Sequence, residues 1–220
     1  MSIKALGPGG RLMRRLIAGF VLGGLLAPAF GQTTPREHLE RIGKAKPADQ
    51  KAAQDAGKRA AFFCANCHGE TGLSKYGEVP NLAGQHPQYI LSQIDAFLAG
   101  KRKDAFMQGL MKVLNAEEKA NIAVFFAAQP VSPSAATPGP LAAAGREMFQ
   151  KNCMRCHGAE ARGGENFPRL AGQQAEYLRR NIKRYLTMSG ERTYPPMTAA
   201  VTVLGEKNIE PVVDYLSSLK

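Results

Sequence analysis

The chain has 220 residues, 44% of them hydrophobic, 21% charged and 7% aromatic, with no tryptophan. That is ordinary globular composition, which excludes a low-complexity chain, and the length allows one large domain or two small ones with lean cores. A formal net charge of +11 points to acidic partners or an anionic membrane surface. The basic residues are not interleaved with aromatic stacking residues, which argues against a nucleic-acid partner.

In chain order, residues 1–31 read as an export signal. Lys4, Arg11, Arg14 and Arg15 precede a short apolar run from Leu16, which ends in the small-residue stretch around Ala27, Ala29 and Gly31. The run is short for a membrane span and Pro28 sits near its end, so cleavage near residues 29–31 and export are expected. Loss of four basic residues and no acidic ones would leave 25 Lys and Arg against 18 Asp and Glu, a charge of +7. Residues 32–54 form a polar, weakly helical extension without a recognisable motif.

Beyond it the chain is written twice. The segment from Gly57 and the segment from Gly145 share, in order, a glycine, Cys-x-x-Cys-His-Gly, Pro-x-Leu-Ala-Gly-Gln, a tyrosine and a helical pattern. Residues 129–140 hold four prolines and read as an extended linker. The expected organisation is therefore an all-α fold of two tandem domains, 55–128 and 141–220. Helices are predicted over 55–63 and 141–152, each running into a cysteine motif. Further helices carry Ile90, Ile94, Phe97 and Leu98 in the first copy, and Leu178, Ile182, Tyr185 and Leu186 in the second. Asn115 and Glu118 form a capping-box pattern before the last helix of the first copy. In the second copy Pro211 would break an internal helix bond, so that helix is expected to begin near Asn208 with Pro211 in its first turn.

All four cysteines fall in the two motifs: Cys64, Cys67, Cys153 and Cys156. A zinc site would need two pairs converging on one ion, and here each pair has its own repeat and its own histidine. Thioredoxin-type exchange would need a βαβ context, and no strand pattern appears. Covalent attachment of haem accounts for more: two thioether bonds to the cysteines, with the adjoining His68 or His157 directed at the iron. Two covalently bound haem c groups are the expected cofactors.

Each iron then needs a second axial ligand. Met107 and Met197 follow the histidines by 39 and 40 residues, and each lies seven before a leucine, Leu114 and Leu204. A methionine at helical spacing is more often core filling, but the matched position in both repeats favours thioether ligation. Met111 is the rival in the first copy, with Val201 as its register partner. His38 lies outside the repeats and His86 corresponds to Gln174, so both are expected at the surface. Pro80 and Pro168, 12 and 11 residues after the histidines, could each fix a loop whose carbonyl accepts the imidazole Nδ1–H.

On these residues the chain resembles the class I cytochromes c, and most closely the dihaem cytochrome c4 family. The resemblance covers residues 55–220. It is carried by Cys64-Ala65-Asn66-Cys67-His68, Cys153-Met154-Arg155-Cys156-His157, the two Pro-x-Leu-Ala-Gly-Gln segments, and Met107 and Met197. It implies two haem c domains facing each other across a linker, carrying electrons in the periplasm for a respiratory chain, often to a haem–copper terminal oxidase. The partners expected are a quinol-oxidising cytochrome complex, a terminal oxidase or a dehydrogenase. A second reading is the electron-transfer subunit of a dehydrogenase such as a flavocytochrome that oxidises sulfide. A third, dihaem peroxidase or thiosulfate oxidation, would need an open or unusual axial position, whereas both copies offer methionine. Arg179, Arg180, Lys183 and Arg184, on one side of a predicted helix, read first as a solvated charged face, and the sharper reading makes them a docking face for an acidic partner.

Overall fold

The computed structural model describes residues 33–131 and 137–220, and Thr33–Lys220 pack as one compact unit. The expected export signal, and residues 132–136 of the expected linker, lie outside the described residues. Among the described residues there are eleven α-helices, one 3-10 turn and no strand, only isolated bridges. No helix among them is long and apolar enough to cross a membrane.

The first half comprises α1 (Pro35–Lys44), α2 (Pro47–Ala60), α3 (Ala65–His68), α4 (Pro87–Leu98), α5 (Ala105–Val113) and α6 (Ala116–Ala127). The second comprises α7 (Ala142–Asn152), α8 (Met154–His157), α9 (Ala175–Leu186), α10 (Pro195–Leu204) and, after a 3-10 turn, α11 (Ile209–Ser218). Thus α2 to α6 repeat as α7 to α11. The Asn115–Glu118 capping box is present, with Glu118 N–H donating to Asn115 Oδ1 at 2.9 Å and Asn115 N–H to Glu118 Oε2 at 2.9 Å. Helix α11 starts at Ile209 with Asn208 as its N-cap, so Pro211 stands where no helical N–H bond is lost.

The N-terminal part differs from expectation. The helix entering the first cysteine motif begins at Pro47 rather than near residue 55. Ahead of it, α1 is closed by its own capping box, Thr34 with Glu37, and seats Leu39 in the first core against α4 and α6. A single buried leucine in a charged decapeptide is too weak a periodic signal to mark a packed helix. Among the described residues the second half has no counterpart of α1.

In each half the entry helix crosses the last helix at a glycine. A Cβ on Gly57 would lie 2.0 Å from the Asn121 carbonyl oxygen, and one on Gly145 would lie 1.8 Å from that of Pro211. These two residues let α2 meet α6, and α7 meet α11, backbone to backbone, which fixes the frame on which the cysteine motif hangs. The cores beneath are small. Phe125 and Phe126, 5.0 Å apart, dominate the first, and Phe149 against Tyr215, 5.6 Å apart, the second.

Candidate functional site

Each cysteine motif forms a single helical turn, α3 or α8, ended by a glycine at positive φ, Gly69 or Gly158. The first cysteine of each pair is half-buried and the second exposed. The histidine that follows is buried, His68 at 7% exposure and His157 at 4%. The four thiols form no disulfide, and no cluster of three or more His, Cys, Asp or Glu among the described residues could hold a zinc ion. Burial pushes the Cys153 thiol up to about 11 and raises that of Cys64, the opposite of the low thiol pKa an exchange site needs.

Both imidazoles are oriented alike. His68 Nδ1 lies 3.0 Å from the Pro80 carbonyl oxygen, and His157 Nδ1 lies 3.2 Å from that of Pro168. A carbonyl only accepts, so Nδ1 carries the proton and Nε2 keeps its lone pair for a metal. Burial lowers both imidazole pKa values, and for His68 the Arg102 guanidinium lowers it further, so each ring is held neutral, the form that ligates iron. Donors on this pattern fit covalent haem: two sulfurs and one imidazole nitrogen from one short segment, twice.

Met107 and Met197 are each the third residue of their helices, α5 and α10, and each is half-buried. Asp104, the N-cap of α5, holds the first turn by accepting from Met107 N–H at 2.9 Å. In α10 the Met197 N–H is held by the Tyr194 carbonyl at 3.0 Å. Met111 and Val201, one turn on, are both core residues at 5% and 4% exposure. His38 sits on α1 within 3.0 Å of Arg41. His86 is not a simple surface residue: it is half-buried, and its Nε2 lies 2.8 Å from the Arg162 carbonyl of the other domain.

The interface between the domains holds the residues that the sequence reading passed over. Backbone Lys103 N–H donates to Glu191 O at 2.7 Å and Thr193 N–H to Lys101 O at 2.8 Å, which pairs Arg102 with Arg192. Arg192 donates to the Tyr185 hydroxyl (2.7 Å), the Tyr177 hydroxyl (3.0 Å), Asn181 Oδ1 (2.6 Å), the Tyr89 hydroxyl (2.9 Å) and Gln93 Oε1 (3.1 Å). Arg102 donates to Gln93 Oε1 and to the Tyr177 hydroxyl, both at 3.0 Å. Among the described residues neither guanidinium has a carboxylate partner. Burial alone would raise the Tyr177 phenol, but the two guanidiniums beside it pull it down to about 8, while burial pushes Tyr89 up to about 12. A signal existed: Arg102 and Arg192 each stand five residues before a repeat methionine, and Tyr89 and Tyr177 four after a repeat glutamine.

The expected basic face is largely paired. Arg179 binds Glu210 through two bonds of 2.7 and 2.8 Å, Arg180 meets Glu176 at 3.3 Å and Arg184 meets Glu191 at 3.0 Å. Helical spacing placed the arginines on one side, but acids from α9 itself, the α9–α10 loop and α11 converge there too.

The chain is similar to known proteins over most of its length. A family model described as cytochrome c matches residues 54–127 and 142–220. Cytochrome c4 of Thiocapsa roseopersicina is 32% identical over 187 residues, covering 78% of this chain and 95% of that protein. A thiosulfate dehydrogenase electron acceptor of Thiomonas intermedia is 32% identical over 205 residues, covering 87% of this chain and 83% of that protein. The crystal structure of reduced recombinant cytochrome c4 from Pseudomonas stutzeri superposes with a TM-score of 0.69 at 29% identity, covering 76% of this chain and 98% of that one.

Proposed function

The chain belongs to the cytochrome c4 family, dihaem electron carriers with one haem c in each domain, and from that premise we propose which residues hold the two groups and what the carrier serves. Cys64 and Cys67 bind the first haem covalently and Cys153 and Cys156 the second. His68 with Met107, and His157 with Met197, would hold the two irons. One observation carries this assignment: the same donor set, with the same proline carbonyl behind the histidine and the same first-turn methionine, recurs in both halves. The burial of Met111 at the place where the second copy has Val201 supports core filling rather than ligation.

Haem c supplies one-electron chemistry at iron, and paired histidine and methionine favour the reduced state. The chain's own part is to keep Nδ1 protonated against Pro80 and Pro168, and to hold the methionines at the starts of α5 and α10. With a histidine and a methionine on each iron no position would be left for a substrate, which supports an outer-sphere carrier rather than an enzyme. The export-signal pattern of residues 1–31 supports a periplasmic carrier, and the role proposed for it is delivery of electrons within a respiratory chain to a terminal oxidase. A second reading, favoured by the likeness to the Thiomonas protein, is the electron acceptor of a dehydrogenase that oxidises a sulfur compound.

A spectroscopic redox titration of the holoprotein tests the assignment. Two low-spin haems at positive potentials, both with the methionine–iron band when oxidised, are expected. A high-spin or low-potential haem would remove Met107 or Met197 from its role. Reduction by a purified thiosulfate dehydrogenase, set against oxidation by a haem–copper oxidase, separates the two physiological readings.

A further inference from the structure

The two domains are joined by a crossed pair of glutamines. Gln85 and Gln173 end the repeated Leu-Ala-Gly-Gln segments, and both are buried, at 6% and 7% exposure. Gln173 Oε1 accepts from Asn81 N–H at 2.8 Å, and its Nε2 donates to Asn81 O at 3.0 Å. Gln85 does the same to the other domain: Oε1 accepts from Arg169 N–H at 2.8 Å and Nε2 donates to Arg169 O at 3.1 Å. Each Oε1 also accepts the N–H of its own next residue, His86 at 3.2 Å or Gln174 at 3.0 Å, which determines which end of the amide is oxygen.

The bound residues are not arbitrary. Asn81 follows Pro80 and Arg169 follows Pro168, so the N–H that each glutamine receives belongs to the same peptide group whose carbonyl accepts from a histidine Nδ1–H. One peptide is therefore gripped at both ends, by the imidazole of its own domain and the glutamine of the other. Proline has no N–H, so the preceding peptide offers no second handle on this loop. A peptide whose N–H is bonded is polarised, and its carbonyl becomes the stronger acceptor. A stronger acceptor at Nδ1–H makes the imidazole a more electron-rich ligand, which stabilises oxidised iron.

We propose that Gln85 and Gln173 are crossed positioning residues, each setting from one domain the hydrogen bond on the iron-binding histidine of the other. This rests on the reading of His68 and His157 as iron ligands. The linkage runs from Gln173 to His68 and from Gln85 to His157, so each domain holds part of the other's redox tuning. The two arms are unequal. The first loop has further ties across the interface, from Asn81 Nδ2 to Gly172 O at 3.2 Å and from Gln174 Nε2 to Ser74 O at 2.6 Å. The second has Arg169 at the matching position, whose buried Nε has no partner. Its only comparable reinforcement among the described residues is the His86 bond to Arg162 O.

The test uses the holoprotein and the near-isosteric substitutions Gln173→Met and Gln85→Met. Each haem's midpoint potential is followed through paramagnetically shifted haem-methyl resonances assigned to its domain, and each histidine Nδ1–H resonance is recorded in the reduced state. Gln173→Met is expected to raise the potential of the His68 haem, move the His68 Nδ1–H resonance upfield, and leave the His157 haem in place. Gln85→Met should do the converse with a larger shift. A shift in the haem of the substituted residue's own domain, an equal shift in both, or no shift would overturn the proposal. Gln→Asn, which keeps the amide one methylene short, takes the place of Met in any variant that yields no holoprotein, with the same crossed pattern expected. A wild-type protein lacking a histidine-bound iron in either domain would remove the underlying ligand reading and the proposal with it. Wild-type ligation intact with no crossed shift removes the proposal alone.

Discussion

The two domains share one frame but are reinforced differently. In the first, the two phenylalanines in aromatic contact, Phe125 and Phe126, both lie on the closing helix α6, and α1 packs over the outside of α4 and α6. In the second, the aromatic contact is split between Phe149 on α7 and Tyr215 on α11. The chain entering it is pinned by Asp214, whose carboxylate accepts from Gly139 N–H at 2.9 Å and Leu141 N–H at 3.0 Å. The loop after the histidine also differs. Gly72 turns it in the first copy at φ 78°, while Ala161 occupies the same place at φ 54° with its methyl fully buried. Duplication preserved what the haem-binding frame needs and left each half to solve its own packing. The interface is unequal in the same way, because Arg192 gathers five acceptors where Arg102 gathers two.

The equivalence of the frames is broken most directly at the helix crossings. Gly57→Ala and Gly145→Ala should each cost roughly 3 kcal/mol, since a backbone oxygen occupies the place of the new methyl. Thermal unfolding of the holoproteins should show two comparable losses; a much smaller loss at one site would mean that its helices separate easily. The arginines should divide unequally. Arg192→Met takes the donor from the Tyr89 and Tyr185 phenols and from Asn181 Oδ1 and should cost roughly 3 kcal/mol, while Arg102→Met leaves both of its acceptors, Gln93 and Tyr177, bonded to Arg192 and should cost about 1 kcal/mol. Denaturant unfolding gives the ratio, and equal costs would contradict the asymmetry.

At the loop after the histidine, Gly72→Ala should destabilise by about 2 kcal/mol, because its Cβ would lie 2.7 Å from Ala83 N and 2.8 Å from Phe126 at positive φ. The reverse change, Ala161→Gly, should be near neutral: about 1 kcal/mol of backbone strain is relieved and a buried methyl is lost.

A pH titration probes the interface itself. The Tyr177 phenol, held down to about 8, gains a charge that cancels one of the two guanidinium charges beside it. Both haem potentials should therefore be flat below that pH and fall above it, and Tyr177→Phe should remove the fall. The unfolded chain keeps this proton up to pH about 10, the usual tyrosine value. The group's contribution to stability is therefore absent below pH 8, grows between about 8 and 10, and is complete above that.

The smallest effect belongs to the surface. Breaking the exposed Arg179–Glu210 pair with Glu210→Gln should change stability by no more than about 0.5 kcal/mol. By freeing a cation on α9 it should raise the electron-transfer rate to an acidic partner at low salt and leave it unchanged at high salt. An unchanged rate at low salt would take that face out of docking.

The sequence by itself determined the repeat, the helical class, the two cysteine–histidine motifs and the matched register of the two methionines. Each of these is a short-range pattern: a fixed spacing, a capping box, a proline at the one place a helix tolerates it. The proline-to-histidine hydrogen bond was legible for the same reason, since 12 and 11 residues of loop can close on only a few carbonyls. Only the tertiary structure decided what lies between the domains. The Gln85 and Gln173 crossing, the Arg102 and Arg192 pair and the His86 contact join residues 75 to 103 positions apart, and polar side chains carry no periodicity to announce burial. The same holds for the apparent docking face, where helical spacing aligns the arginines but their neutralising acids arrive in part from other elements. Burial of a polar group is decided by its partner, and the partner is brought there by the fold.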